Sequence, residues 1–207
     1  MSIKHAVTDH PILELLRRRW SPYAFADRDV SADDLRALFE AARWAPSSYN
    51  EQPWSYLVAL RSDAEAFERL LSCLVEANQV WARRAPLLAL GILKETFALD
   101  GRPNPAARHD LGLAAGSLLA EATARGLAVH QMIGILPERA RELYAIPEDW
   151  AALTALAIGY VGDPASLPEA LRERDLAPRA RKPLADFVFG GRWGETSGLV
   201  SPSTRER

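Results

Sequence analysis

Cysteine is nearly missing: Cys73 stands alone in 207 residues. One thiol cannot build an intrachain disulfide framework, and such usage fits a reducing compartment. Long apolar runs are missing too, since the longest, near Leu87 to Leu93, falls far short of a bilayer span. Lys4, His5, Asp9 and His10 interrupt the opening residues, so no secretory signal is read there. Charge of one sign is scarce, and a net −2 gives no basis for non-specific binding to nucleic acid. The four histidines, His5, His10, His109 and His130, have no metal-ligand spacing with the lone cysteine. No glycine-rich turn follows a strand, which removes both the Walker loop and the dinucleotide fingerprint. No Gly-x-Ser-x-Gly elbow occurs either. These absences set an expectation of a cytoplasmic protein with no metal, no membrane and no nucleic-acid partner.

What is present is an ordinary globular composition, 48% hydrophobic, with length for one domain over residues 1–207. Asp9 and Pro11 signal a helix start, followed by Ile12, Leu13 and Leu16 at helical spacing. Ser31 with Asp34 resembles a capping box, before an apolar face of Leu35, Leu38, Phe39 and Ala42. Short apolar runs predict strands over 55–60, 87–93, 127–133 and 154–161, with helices over 64–75, 106–125 and 137–144 between them. Ser166 and Glu169 resemble another helix start, and Gly126 is placed to stop the long helix. The Gly112–Gly116 pair inside that helix is expected to let another helix pack closely. A polar loop over 94–105 is the candidate for a mobile flap. Helices alternating with strands predict a sheet covered by helices, of α/β or α+β class. The last third has little apolar periodicity, so a tail from about 176 to 207 is expected to wrap a partner subunit.

The stretch that organises the rest runs from Trp44 to Trp54, a proline-braced polar loop between a helix and a strand. Its hydroxyls and amides suit a flat heteroaromatic ligand with many hydrogen-bonding edges, or else simple local turns. Basic residues gather at Arg17, Arg18 and Arg19 and again at Arg179, Arg181 and Lys182. Brought together they would hold a phosphate; left apart they are solvated charge at helix ends. Asn78, after an apolar helix, reads as a capping amide.

Three separated motifs resemble the nitroreductase family of FMN-dependent NAD(P)H oxidoreductases across nearly the whole chain. They are Arg19-Trp20-Ser21-Pro22-Tyr23-Ala24-Phe25, the Ala42–Trp54 segment containing Ala45-Pro46-Ser47-Ser48, and Arg179-Ala180-Arg181-Lys182-Pro183-Leu184. The resemblance implies an α+β fold with a mixed central sheet flanked by helices, and a C-terminal tail exchanged across a homodimer. It implies that Arg19, Ser21, Arg179 and Arg181 hold the FMN phosphate, with Trp20 contributing through its backbone. Asn78 would reach the pyrimidine edge of the ring. Pro46, Ser47, Ser48, Asn50 and Gln52 would serve the cofactor of the other subunit. His130, Gln131, Met132, Ile133 and Gly134 would lie beside the dimethylbenzene and N5 side, with backbone N–H groups near Ile133 and Gly134 facing N5.

Two positions depart from the family pattern. Tyr23 stands where many members have Arg or Lys, and Trp81 where some have a Lys near the flavin N1 and O2. By the same resemblance, hydride passes from NAD(P)H to the flavin and on to a nitroaromatic, quinone or similar small-molecule acceptor, in ping-pong order. No protein side chain is required as a catalytic group. Alternative uses of the same fold and flavin are dehalogenation, oxidation of peptide heterocycles, flavin destruction, or a non-catalytic flavin-binding dimer.

Overall fold

The structure is a computed structural model that describes residues 4–200. It divides into two compact units, one up to Ala177 and one from Pro178. The end of the expected tail, residues 201–207, lies outside the described residues.

The first unit is built on four strands: β1 (Trp54–Leu60), β2 (Leu87–Lys94), β3 (Ala128–Met132) and β4 (Trp150–Gly159). They lie in the order β1-β2-β4-β3, and every pairing is antiparallel. The α+β class holds, but among the described residues the sheet is antiparallel throughout rather than mixed. Strand β2 is buried along almost its whole length, which explains its continuous apolar run where a half-exposed strand would alternate. Its side chains still obey the two-residue period. Leu88, Leu90 and Ile92 face one core, with Phe67, Leu70, Leu71 and Leu74. Leu87 and Ala89 face the other, with Leu38, Ala42, Ala114, Leu118 and Ala122.

The helices are α1 (Glu14–Arg18), α2 (Ala32–Arg43), α3 (Ala64–Leu71), α4 (Glu76–Ala82), α5 (Ala107–Ala124), α6 (Pro137–Tyr144) and α7 (Glu169–Leu176). The Ser31 box forms as read: its hydroxyl accepts from the Asp34 amide at 3.0 Å and donates to the Asp34 carboxylate at 2.8 Å. Helix α3 stops at Leu71 instead of Val75, because Leu74 leaves the helix to pair with Ile135. A new helix, α4, then carries Asn78 near its start, so Asn78 is not a cap that ends a longer helix. Helix α1 is only five residues long and buries none of them; Ile12, Leu13 and Leu16 are exposed. Ser166 does not cap α7; it sits in a 3-10 turn and bonds back to the Asp163 carbonyl. Strand β4 begins four residues earlier than expected, at Trp150. Gly112 and Gly116 face open space, so no helix of the described chain packs on them. No helix among the described residues is long and apolar enough to cross a membrane.

The expected flap is a pinned excursion: Thr96 bridges Pro103, and the Asn104 amide donates to the Glu95 carbonyl at 2.7 Å. The second unit is a small hairpin. Phe189 bridges Thr196, the Ser197 amide donates to the Val188 carbonyl at 3.0 Å, and the Phe189 and Trp193 rings lie 5.2 Å apart.

Candidate functional site

Three segments far apart in the chain meet at one seam of the first unit. The first is the stretch 19–25 after α1. The second is α4. The third is the end of β3 with the turn that follows it. Each pair is joined by direct contact.

Arg19 sits at the end of α1, half-buried, and its guanidinium donates to the Ser21 hydroxyl at 3.3 Å. Beside it Trp20 is half-buried, with the Lys4 ammonium 4.9 Å from its ring centre. The Tyr23 amide donates to Asp175 Oδ1 on α7 at 2.7 Å, which fixes the backbone of this stretch. Asp175 is 2% exposed, and its other oxygen is buried without a partner. Sequence reading missed this residue, because α7 offers no apolar periodicity that would mark an inward acid.

The Tyr23 ring meets Trp81 edge-on at 5.2 Å and His130 at 4.7 Å, while Trp81 and His130 are 4.4 Å apart. Trp81 is 1% exposed, so its side chain belongs to the core and not to a ligand surface. The family pattern puts a cofactor contact at this position; here an indole fills the space beneath the seam. His130 Nδ1 lies 2.9 Å from the Pro22 carbonyl. A carbonyl only accepts, so the proton sits on Nδ1 in the neutral ring. Burial holds the His130 imidazole below its ordinary range, against a smaller upward pull from the Pro22 carbonyl and the Asp175 charge.

Asn78 and Gly134 come together as well. The Asn78 Nδ2 donates to the Gly134 carbonyl at 3.0 Å, and the Val75 amide donates to the same oxygen at 3.1 Å. A Cβ at Gly134 would stand 2.5 Å from Asn78 Nδ2 and 3.0 Å from Val75 Cγ2, so a side chain there would displace the Asn78 amide. With Nδ2 committed, the amide has Oδ1 to offer as an acceptor. Ile133 is 83% exposed and Gln131 is exposed, whereas Met132 is 7% exposed. The Met132 side chain is therefore core, and only its backbone stands at the seam.

The Pro46–Trp54 loop is anchored elsewhere. Ser48 to Asn50 form a 3-10 turn, and Tyr49, Asn50 and Gln52 have φ of 53°, 55° and 49°. Three left-handed non-glycine residues in one short loop are costly, on the order of 1–2 kcal/mol each and less for Asn. The loop is held by its own polar groups: the Gln52 amide donates to Ser47 Oγ, and Gln52 Nε2 to the Asn50 carbonyl, both at 3.0 Å. Its outside contacts run to α5, where Asp110 accepts from the Ser48 amide, and to the 95–106 excursion. There Glu51 accepts from the Ala98 amide, and the Tyr49 and Phe97 rings meet at 6.1 Å. Pro46, Tyr49, Asn50 and Gln52 are exposed; Ser47 and Ser48 are half-buried.

Arg179 and Arg181 lie in the second unit, where Arg181 donates to the Ala180 carbonyl at 2.7 Å and Arg179 is half-buried.

The sequence profile of the nitroreductase family matches residues 16–160. A Streptomyces coelicolor protein provisionally named NADH dehydrogenase/NAD(P)H nitroreductase is 31% identical over 161 residues, covering 69% of this chain and 79% of that protein. A solved structure described as an oxidoreductase containing FMN superposes with a TM-score of 0.87 at 34% identity, over 95% of this chain and 99% of that one. A nitroreductase family protein of Clostridium difficile 630 shares the fold, with a TM-score of 0.68 at 24% identity over 88% and 99% of the two chains.

Proposed function

The chain belongs to the nitroreductase family, and from that premise we propose an FMN-dependent oxidoreductase that draws hydride from NAD(P)H and reduces a nitroaromatic, quinone or similar acceptor. The observation that carries this reading is the convergence at the seam: Arg19 with Ser21, His130 with Pro22, and Asn78 with Gly134.

The donor set fits FMN. A guanidinium beside a hydroxyl matches a phosphate dianion. Asn78 Oδ1 matches the imide N–H of a flavin ring, which a second donor would not. The missing side chain at Gly134 leaves room for the Asn78 amide to close on the Gly134 carbonyl. When bound, FMN supplies hydride transfer between nicotinamide and acceptor. The chain's own residues bind and orient. Arg19 and Ser21 would hold the phosphate end, and by the family resemblance Arg179 and Arg181 of the tail would supply further cations for an FMN phosphate. Trp20 contributes backbone, and Tyr23 and Trp81 support the seam from beneath. Gln131, Met132, Ile133 and Gly134 present backbone at the ring end. Donor and acceptor use the site in turn, which gives ping-pong kinetics.

The functional protein is read as a homodimer. The Pro46–Trp54 loop makes its contacts away from the seam, which suits Pro46, Ser47, Ser48, Asn50 and Gln52 serving the partner's cofactor. The tail then wraps the partner, and residues 1–207 act as one FMN-binding domain.

A visible spectrum of the purified protein, before and after anaerobic NADH or NADPH, tests the reading. A flavin spectrum that bleaches supports it and names the donor. A flavin that stays yellow with both nucleotides moves the assignment to dehalogenation, heterocycle oxidation, flavin destruction or flavin storage. Failure to take up added FMN overturns it.

A further inference from the structure

We propose that Asp110 is the positioning residue of the Pro46–Trp54 loop: its carboxylate, reaching from α5, holds that loop in the shape that meets FMN. The proposal rests on the reading that this loop serves the cofactor.

Asp110 is 2% exposed, on a helix whose other buried residues are apolar or small apart from Thr123. A carboxylate in that setting needs a hydrogen-bonding reason to be there. Its Oδ2 accepts from the Ser48 amide at 3.1 Å, across 62 residues of chain. Ser48 opens the 3-10 turn, and the residue before it, Ser47, makes no side-chain cap. The Ser47 hydroxyl is already engaged, accepting from the Gln52 amide. Asp110 thus does from a distance what a local cap would do, supplying an acceptor at the start of the turn.

Division of labour follows. The Ser47 hydroxyl closes the loop on itself, and Asp110 ties the closed loop to the longest helix of the fold. Tyr49 and Asn50 lie between the tied residues Ser48 and Gln52, and Tyr49, Asn50 and Gln52 are all in the left-handed region. Backbone of that kind relaxes unless its surroundings hold it. Without Asp110 the Ser48 amide loses its acceptor, and Asn50 and Gln52 lose their fixed presentation.

The test compares Asp110→Ala, Asp110→Asn and Asn50→Ala for FMN dissociation constant, with the thermal midpoint followed in parallel. Asp110→Ala is expected to weaken FMN binding roughly tenfold or more. Asp110→Asn keeps an acceptor oxygen and is expected to stay within about threefold of the unsubstituted protein. In mixed dimers the loss should fall on one site only. Folded Asp110→Ala with undiminished FMN affinity, beside a weakened Asn50→Ala, overturns the proposal and leaves the site reading standing. Asp110→Asn as damaged as Asp110→Ala also overturns it, since charge or packing would then be the cause. If Asn50→Ala binds FMN normally, the loop reading and this proposal fall together. A measurement independent of variants is amide exchange in the unsubstituted holoenzyme: slow exchange at Ser48 is expected, and exchange as fast as in an open turn overturns the anchor.

Discussion

The seam and the Pro46–Trp54 loop carry the same kind of polar residue, yet they are held by different physics. At the seam, backbone and side chains rest on buried rings: Trp81 is 1% exposed and touches both Tyr23 and His130. The loop has no such floor, with Tyr49 91% exposed and three residues in the left-handed region. Its shape depends on a few hydrogen bonds. One region is fixed by packing and the other by polar tethers, so they should fail under different insults.

The sharpest break is at the floor of the seam. Trp81→Ala should cost about 3–5 kcal/mol of stability, as for any large buried aromatic, and weaken FMN binding with it. Urea unfolding gives the number, and an unchanged midpoint would mean the seam is not core-held. Next in size, Arg19→Ala should remove about 1.5–3 kcal/mol of FMN binding. The urea midpoint should move much less than for Trp81→Ala, because the half-buried guanidinium fills no core. Flavin retention equal to the unsubstituted protein would sink the phosphate assignment.

A smaller effect separates the regions by pH. His130 is held below its usual 6.5 by burial, so the unfolded chain takes up the proton first as pH falls. Its contribution to stability is full above about 6.5 and is lost as pH drops toward the folded value. His130→Asn should flatten that part of the stability profile, while substitutions in the loop should leave it alone. Least of all is Tyr49→Gly. Relief of a left-handed residue, about 1 kcal/mol, offsets a similar entropic cost of glycine, and the thermal midpoint should stay nearly constant. A large fall would show that the Tyr49–Phe97 contact matters more than the backbone strain.

Much of this was legible in the chain. The four strands, the Ser31 cap and helix α6 followed from periodicity and local chemistry, which are short-range. The break after Leu71 was not, because it is made by pairing of Leu74 with Ile135, 61 residues on. Ser166 failed as a cap for a local reason: its hydroxyl bonds back to the Asp163 carbonyl. The sequence also presented Tyr23 and Trp81 as two unrelated departures from the family pattern. In the fold they touch, and a single aromatic cluster with His130 occupies both positions. Asp110 had a signal that went unread, since it falls in step with the buried Ala114, Leu118 and Ala122 along one helix face. Asp175 had none.

The open glycines of α5 carry a last consequence. Nothing within 4 Å would meet a side chain at Gly112 or Gly116, so in an isolated chain alanine is sterically free at both. Intrinsic helix preference would even reward it, by about 1 kcal/mol per position. These two sites therefore behave as a gauge. Alanine that raises the melting temperature reports an open flank, and alanine that lowers it at high protein concentration reports the pressure of a second molecule against the helix.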